Sequence, residues 1–205
     1  MALYEIQKSG GYKVAGLLTT ITRDYDRISI HGVRRTLLER QAESLALPLR
    51  QVFISKAASN EEYESQMKEA LLEYCRPGIV SVVFGDLFLQ DIREYRERLL
   101  AEVAMQGLYP IWQKDTRELI REFIGSGFKA VVTCVDPKAL DRSFAGRMID
   151  EKFLAELPAT VDPCGENGEF HSFVFDGPIF REPVNLTAGE VTERDGSCFC
   201  DFSPA

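Results

Sequence analysis

Two glutamates stand three residues apart in the most unusual stretch of the chain, Cys164 to His171. Glu166 and Glu169 flank Asn167-Gly168, a pair that favours a tight turn with positive φ. Such a turn can bring two carboxylates together, as a metal site or as an acid/base pair with mutually perturbed pKa values. The alternative is a solvated hairpin tip whose acids do no chemistry. His171 is either a base or an ordinary strand residue.

An acidic residue also follows the most apolar run of the sequence, Ile79 to Phe84. Ligands of open α/β sheets bind outside the carboxyl ends of the strands. Asp86, directly after Gly85, is therefore placed to reach a ligand or its metal ion. Aspartate also closes turns and starts helices, and that interpretation stays open.

A third candidate is His31, in the polar loop from Thr22 to Gly32 that follows an early predicted strand. Loops after parallel strands bind ligands, although most charged loops are simply solvated. The chain has only two histidines, which argues against a multi-histidine zinc site. Cys198 and Cys200 point to one face of a predicted strand, but no second pair of ligands stands nearby in the sequence.

The elements that must position these side chains alternate over the first 135 residues between short apolar strands and amphipathic helices. The strands are predicted near 14–20, 49–55, 79–84 and 130–135, and the helices near 34–45, 59–75, 91–106 and 115–124. Pro77-Gly78 is predicted to turn the chain into the third of these strands. This regular alternation predicts an α/β fold, a Rossmann-like parallel sheet with helices on both faces.

The pattern changes after Pro137, where helical signals shrink and β-like segments follow a Gly-rich acidic stretch. A smaller C-terminal α+β part is predicted there, so the chain divides into domains at 1–136 and 137–205. The uneven distribution of charge indicates different functions for the two parts of the chain, because residues 150–205 hold 12 acidic and 3 basic side chains.

Composition excludes several classes of protein. The 205 residues are 45% hydrophobic and 27% charged, which is typical of globular domains. No apolar run reaches the roughly 18–20 residues of a membrane span. The net charge of −8 argues against non-specific nucleic-acid binding. Five cysteines without an export signal favour reduced thiols and a cytoplasmic location.

The candidate residues lie within segments that together resemble a known family, the N-type ATP pyrophosphatases typified by diphthine–ammonia ligase. No single motif decides this, but the order and spacing of the segments are specific. The similar segments are Ser29 to Arg34, Gln41-Ala42, Leu47 to Leu49, Phe84-Gly85-Asp86, Gly107 to Trp112, Ala145-Gly146-Arg147, Asp162 to Phe170 and Asp176 to Phe180.

The resemblance implies a HUP-like α/β domain that binds ATP and a smaller domain that closes over it. The implied reaction adenylates a carboxylate, releases pyrophosphate and lets ammonia displace AMP to form an amide. ATP and Mg²⁺ are the implied cofactors. The implied acceptor is the diphthine of elongation factor two in an archaeal or eukaryotic source, and another carboxylate otherwise. No membrane or nucleic-acid partner is expected.

The resemblance also implies roles for single residues. Gly85 and Asp86 match the Gly-Asp of the family and would face the nucleotide, with Asp86 as a candidate Mg²⁺ ligand. The Glu-x-Gly-Glu motif of the family matches Glu166 to Glu169. The two glutamates would be catalytic, together with Asp86. Asn167, Gly168 and His171 would bind the substrate. His31 would bind the nucleotide.

One departure from the family is evident. Its pyrophosphate loop, of SGGKDS type, follows the first strand, whereas this chain starts in what resembles the helix after that loop. Two short motifs resemble parts of such a loop but do not replace it. Ser9-Gly10-Gly11 precedes a predicted strand instead of following one, and Asp115 of Lys114-Asp115-Thr116 is better explained as a helix cap. Either the start is an internal methionine of a longer reading frame, which we expect, or the chain is a real truncated product. We expect the 205-residue chain to bind ATP weakly and turn it over slowly.

Two other functions stay open at this point. A non-catalytic nucleotide-binding or regulatory module is consistent with the missing loop. A tRNA-modifying relative is disfavoured, because the net charge is −8 and neither a basic face nor zinc-ribbon cysteines are present in the sequence.

Overall fold

The computed structural model describes residues 1–75 and 78–205, so the predicted turn at Pro77 lies outside the described residues. The helices and strands are, in chain order, α1 (Ala2–Ser9), β1 (Leu17–Thr22), β2 (Arg27–Ile28), α2 (Arg35–Ser44), β3 (Leu49–Ile54), α3 (Asn60–Cys75), β4 (Ser81–Val83), α4 (Gln90–Ala101), β5 (Gln106–Leu108), α5 (Thr116–Gly125), β6 (Lys129–Val135), α6 (Glu151–Glu156), β7 (Phe170–Asp176), β8 (Leu186–Arg194) and β9 (Ser197–Pro204). A short 3₁₀ turn, Arg142–Phe144, precedes α6.

The chain forms two compact units. Unit 1 comprises Met1–Asp24 and Pro48–Lys114, and unit 2 comprises Tyr25–Leu47 and Asp115–Ala205. The predicted division into domains 1–136 and 137–205 stays a prediction, while the compact units divide the chain after Lys114 and assign an early segment to the C-terminal unit. That segment carries β2, α2 and His31.

Unit 1 contains parallel strand pairs, as the sequence predicts, but one of them includes β5, which is not among the predicted strands. Strand β1 pairs in parallel with β3, and β4 pairs in parallel with β5, with Val83 opposite Leu108. Buried side chains of α3, α4 and the segment after α4 pack together beneath the second pair, and they are Leu71, Leu100, Val103 and Met105. The fold is mixed α/β as predicted, but these parallel pairs belong to separate small sheets among the described residues.

Unit 2 contains a four-stranded antiparallel sheet in the order β7-β6-β9-β8. The prediction that β6 extends the parallel series is wrong, because β6 pairs antiparallel with both β7 and β9. Six of its seven residues, Ala130–Val135, are buried. A strand covered on both faces is apolar throughout whether its neighbours run parallel or antiparallel, so this pattern does not distinguish them.

The core of unit 2 is aromatic. Phe153 on α6 is fully buried and meets Phe144 and Phe170 edge to face, at centroid distances of 5.6 and 5.5 Å. Asp150 caps α6 by accepting a hydrogen bond from the N–H of Phe153 at 2.8 Å. This packing fixes the start of β7, which is where the glutamate loop ends.

Two short motifs that resemble phosphate loops have structural explanations. Asp115 accepts hydrogen bonds from the N–H groups of Arg117 and Glu118, so it is the helix cap that the sequence predicts. Gly10 ends α1 with φ of +66°. No helix in the described ranges, 1–75 and 78–205, is both long and apolar enough to span a membrane.

Candidate functional site

The loop from Asp162 to Glu169 in unit 2 is organised by two carboxylates. Glu169 is only 7% exposed and accepts hydrogen bonds from the N–H of Asp162 at 2.9 Å, from the N–H of Asn167 at 3.1 Å and from the Asn167 side chain at 3.0 Å. Burial alone would raise the pKa of Glu169, but these hydrogen bonds lower it overall. The Glu169 carboxylate is therefore ionised and already engaged by its own loop.

The second carboxylate, Asp162, binds the other half of the loop. It accepts the N–H of Cys164 at 2.9 Å and the N–H of Glu166 at 3.3 Å. Gly165 sits at φ +70°, where an added Cβ would lie 2.7 Å from the carbonyl oxygen of Phe170. Gly168 has φ of +85°, which confirms the predicted positive-φ turn at Asn167-Gly168.

The two glutamates of this loop have different surroundings. Glu169 faces inward, whereas Glu166 is half-buried and Asn167 and Gly168 are exposed. Glu166 is not among the groups that shift the pKa of Glu169. Burial and the nearby carboxylates of Asp162 and Glu166 raise the pKa of the Cys164 thiol to about 12, so this cysteine stays protonated. The loop thus presents Glu166 and the Asn-Gly tip, with Glu169 as its support.

Unit 2 also brings together the only two histidines of the chain. The ring centroids of His31 and His171 lie 4.7 Å apart, and both residues are half-buried. Burial lowers the pKa of His31, with a hydrogen bond to the backbone of Ser172 acting in the opposite direction. Burial and the nearby His31 lower the pKa of His171 to about 4. Both rings are therefore neutral at pH 7.

The turn that carries His31 is anchored to the last strand of the sheet. Arg27 donates to the carbonyl of Gly32 at 2.8 Å and to Asp201 at 2.9 Å, and Arg34 makes a two-pronged ion pair with the same carboxylate. A Cβ on Gly32, whose φ is +69°, would lie 2.5 Å from the Phe199 ring. These contacts hold the turn against β9.

The residue before His31 is strained. Ile30 has φ of +68° and is 73% exposed. A β-branched side chain is disfavoured in the left-handed region, and backbone strain of this kind concentrates at functional sites. The strained turn and the histidine pair therefore mark one candidate site on unit 2.

We expect Ile30→Gly to raise the free energy of unfolding by about 1 kcal/mol. The left-handed conformation costs a β-branched residue on the order of 1–2 kcal/mol, of which glycine returns part through its freer unfolded chain. Urea denaturation followed by circular dichroism measures the change. Val80→Gly is a control, because Val80 is 61% exposed without positive φ, and it should lower stability. A loss of stability in Ile30→Gly would contradict the strain.

The third candidate lies in unit 1, where Gly85 and Asp86 follow β4. Asp86 is held by Arg96 of α4, with Nε 2.7 Å from Oδ2, and its side chain is 15% exposed. The Arg96 guanidinium lies over the Phe84 ring, 4.6 Å from its centroid. Phe84 in turn stacks on Tyr109 after β5. An acid, an arginine and two aromatic rings thus cluster at the carboxyl ends of two parallel strands.

This arrangement does not fit a Mg²⁺ ion held by the protein. Magnesium takes oxygen ligands in octahedral geometry, with at least one free carboxylate. Asp86 is paired with Arg96 through both oxygens, and no group of three potential ligands occurs in the described part of the chain. The predicted role of Asp86 as a Mg²⁺ ligand, and a metal site at Glu166 and Glu169, have no support in these contacts.

Several residues of these clusters were not predicted. Asp201 and Arg27 are 174 positions apart and Arg96 is ten residues beyond Asp86, so no local spacing indicates either contact. Asp162 had a local signal, because an aspartate that accepts the N–H two residues later is the usual start of a turn.

Comparison with known proteins gives one family match and a set of relatives. Residues 115–203 match the model of the diphthamide synthase C-terminal domain. The chain is 25% identical to a diphthine–ammonia ligase of Schizosaccharomyces pombe over 209 residues. This alignment covers 93% of this chain and 34% of that protein. It is 27% identical over 194 residues to the diphthine–ammonia ligase of Homo sapiens, covering 86% of this chain and 72% of the human protein. The chain thus spans about a third of the yeast relative.

Proposed function

Since the chain belongs to the diphthine–ammonia ligase-like family, we propose that it acts as an ATP-dependent ligase that joins ammonia to an activated carboxylate. The observation that carries the proposal is the similarity to proteins named diphthine–ammonia ligase over 86–93% of the chain. The predicted site residues stay predictions, and their contacts support a different role for each of them.

The chemistry has two steps. The acceptor carboxylate attacks the α-phosphorus of ATP, which forms an acyl adenylate and releases pyrophosphate. Ammonia then attacks the acyl carbon, AMP leaves with the C–O bonding pair, and a proton passes from nitrogen to solvent or a base. The protein must hold the acyl group in line with the phosphorus and exclude water from the adenylate.

In this proposal unit 1 is the HUP-like nucleotide-binding part. Gly85 and Asp86 lie at the carboxyl ends of parallel strands, where nucleotides bind in open α/β sheets. Asp86 fixes Arg96 through their ion pair, and Arg96 would supply positive charge to a phosphate. ATP is the co-substrate in this proposal.

Unit 2 would bind the acceptor. Glu166, Asn167 and Gly168 form the accessible part of the glutamate loop, so they are placed to contact the acyl group or ammonia. Glu169 supports the loop through the hydrogen bonds it accepts. By analogy with the names of the relatives, the proposed acceptor is a diphthine residue, and the cytoplasmic location stays a prediction from the sequence.

Analysis of the products of ATP tests the proposal. The chain, ATP, ammonium and a carboxylate acceptor should yield AMP and pyrophosphate in equal amounts, with AMP formation dependent on the acceptor. ADP and phosphate as products would contradict an adenylating ligase. Stable nucleotide binding without turnover would instead favour the non-catalytic nucleotide-binding or regulatory module.

We expect Asp86→Asn to lower pyrophosphate–ATP exchange roughly 10- to 100-fold. This is less than the loss of about 100- to 1,000-fold that follows removal of a preorganised donor to the transition state, because Asp86 acts through Arg96. The asparagine keeps the size of the side chain but no longer neutralises Arg96. Asp91→Asn is the matched control, since Asp91 lies exposed in the first turn of α4. Equal exchange rates in the two variants would remove Asp86 from the proposed mechanism.

A further inference from the structure

The tip of the glutamate loop carries a reactive pair of residues. Asn167 is the only one of the three asparagines of the chain that precedes a glycine, and both Asn167 and Gly168 are exposed. The backbone nitrogen of the next residue can attack an asparagine side chain, and glycine hinders this attack least because it has no Cβ. Asn60 and Asn185 are also exposed, but they precede residues with long side chains. Sequence and exposure therefore mark Asn167 as the asparagine most open to deamidation.

Deamidation at this position is a reaction with water that needs no cofactor. The backbone nitrogen of Gly168 loses its proton to solvent and bonds to the side-chain carbonyl carbon of Asn167. The bond from that carbon to Nδ2 breaks, and the nitrogen takes up a proton and leaves as ammonia. Water then opens the cyclic imide at either carbonyl, which gives aspartate or isoaspartate. The reaction requires a Gly168 N–H that can lose its proton and an Asn167 side chain that can rotate towards it.

The folded loop restrains both reacting groups. The N–H of Gly168 donates to the carbonyl of Gly165 at 3.0 Å. Asn167 donates through Nδ2 to Oε1 of Glu169 at 3.0 Å and through its backbone N–H to Oε2 of the same carboxylate at 3.1 Å. The negative charge of Glu169 also disfavours loss of a proton from a nitrogen beside it. The Glu169 carboxylate thus opposes the reaction by its hydrogen bonds and by its charge.

We propose that Asn167 is a deamidation site whose rate is controlled by Glu169. The reaction is slow while the Glu169 carboxylate holds Asn167 and fast when the loop opens. Once ammonia has left, the change is irreversible. Asn167 lies in the part of the loop that the proposed ligase function assigns to the acceptor, but deamidation itself does not depend on ligase activity.

The product of the reaction releases the loop. An aspartate at this position has no N–H to donate, so the 3.0 Å contact with Glu169 would join two carboxylates. Two carboxylates that share one site cannot both stay ionised, so the new side chain turns to solvent or one of the pair takes up a proton. An isoaspartate adds a methylene group to the main chain, which moves the Gly168 N–H away from the Gly165 carbonyl. Either product removes contacts that organise the loop.

Peptide mass spectrometry of the full chain tests the proposal. The protein is incubated at mildly alkaline pH, and replacement of NH₂ by OH is followed at all three asparagines. We expect Glu169→Gln to deamidate at Asn167 roughly tenfold faster than wild type, because loss of hydrogen bonds to a charged acceptor favours the open loop by about that factor. Glu190→Gln removes the same charge from an exposed position on β8, and this control should keep the wild-type rate. A folded Glu169→Gln that reacts no faster than Glu190→Gln would overturn the proposal.

A second measurement does not depend on how well a variant folds. Wild type in denaturing urea gives the rate of the unrestrained chain. We expect Asn167 to react roughly tenfold faster there than in the native protein, because urea removes the contacts that keep the loop closed. Equal rates at Asn167 in native and denatured wild type would mean that the folded loop gives no protection, and the proposal would fail.

The effect of the product on the loop is measured with Asn167→Asp. Hydrogen exchange of the peptide that spans 162–169 should be faster in this variant than in Asn185→Asp, which makes the same chemical change outside the loop. Unchanged exchange in Asn167→Asp would contradict the release of the loop. These readouts are separate from pyrophosphate release, whose absence would contradict only the ligase proposal.

Discussion

Replacing Glu169 with alanine is expected to lower the free energy of unfolding by about 3 kcal/mol. The carboxylate is 7% exposed and satisfies two backbone N–H groups and the Asn167 amide. Without it, these donors stay in or near a buried loop, and each unsatisfied group costs roughly 1–3 kcal/mol. Urea denaturation gives the loss, and hydrogen exchange of the peptide that spans 162–169 should accelerate locally.

Two further variants test whether the Glu169 carboxylate, and not a glutamate elsewhere in the loop, stabilises the fold. Glu169→Gln keeps the volume but offers one oxygen acceptor instead of two, so we expect a smaller loss. Glu166→Ala removes the half-buried glutamate of the same loop and should cost under about 1 kcal/mol. If Glu169→Ala were no more destabilising than Glu166→Ala, the assignment of Glu169 as the support of the loop would be wrong.

The same contacts give a pH dependence. Because the pKa of Glu169 is lower in the folded chain than its ordinary value of 4.5, its contribution is complete above about pH 4.5 and is lost as the pH falls through the folded pKa. Wild type should therefore lose stability more steeply than Glu169→Gln in acid. Parallel curves for the two proteins below pH 4.5 would contradict this.

Local chemistry was predictable from the sequence. The Asn167-Gly168 turn needs only its two residue types, and Asp115 as a helix cap follows from its place before an amphipathic segment. Both predictions are confirmed, by φ of +85° at Gly168 and by two accepted N–H bonds at Asp115. Information held within a few residues was sufficient in these cases.

Pairings between distant segments were not predictable in the same way. The sequence of an apolar strand such as β6 does not indicate whether its neighbours run parallel or antiparallel to it, which is why the predicted parallel sheet includes β6 wrongly. His31 and His171 are separated by the whole of unit 1's second segment, so neither could be placed beside the other by spacing. The roles of Glu166 and Glu169 also depend on which side chain faces inward, which the Glu-x-Gly-Glu spacing leaves open.

Asp201→Ala is expected to lower the free energy of unfolding by about 2 kcal/mol at pH 7. Asp201 is the carboxylate that Arg27 and Arg34 share, and its removal leaves two neighbouring cations without it beside the turn that carries His31. A double-mutant cycle with Arg34→Gln isolates the bidentate pair, for which we expect a coupling energy of about 1 kcal/mol. A coupling energy near zero would mean that Arg27 alone holds the carboxylate.

Acid unfolding tests the same ion pairs without a substitution. The hydrogen bond from Arg34, aided by Arg27, lowers the pKa of Asp201 from 3.8 to about 2. Because the folded pKa is the lower one, this stability is complete above about pH 4 and is lost as the pH falls toward 2. Linkage gives roughly 2.5 kcal/mol, which solvent screening of a carboxylate that is 34% exposed reduces to about 1.5 kcal/mol. Asp201→Asn should lack this acid-dependent loss, whereas Asp195→Asn, in the exposed β8–β9 turn, should keep it.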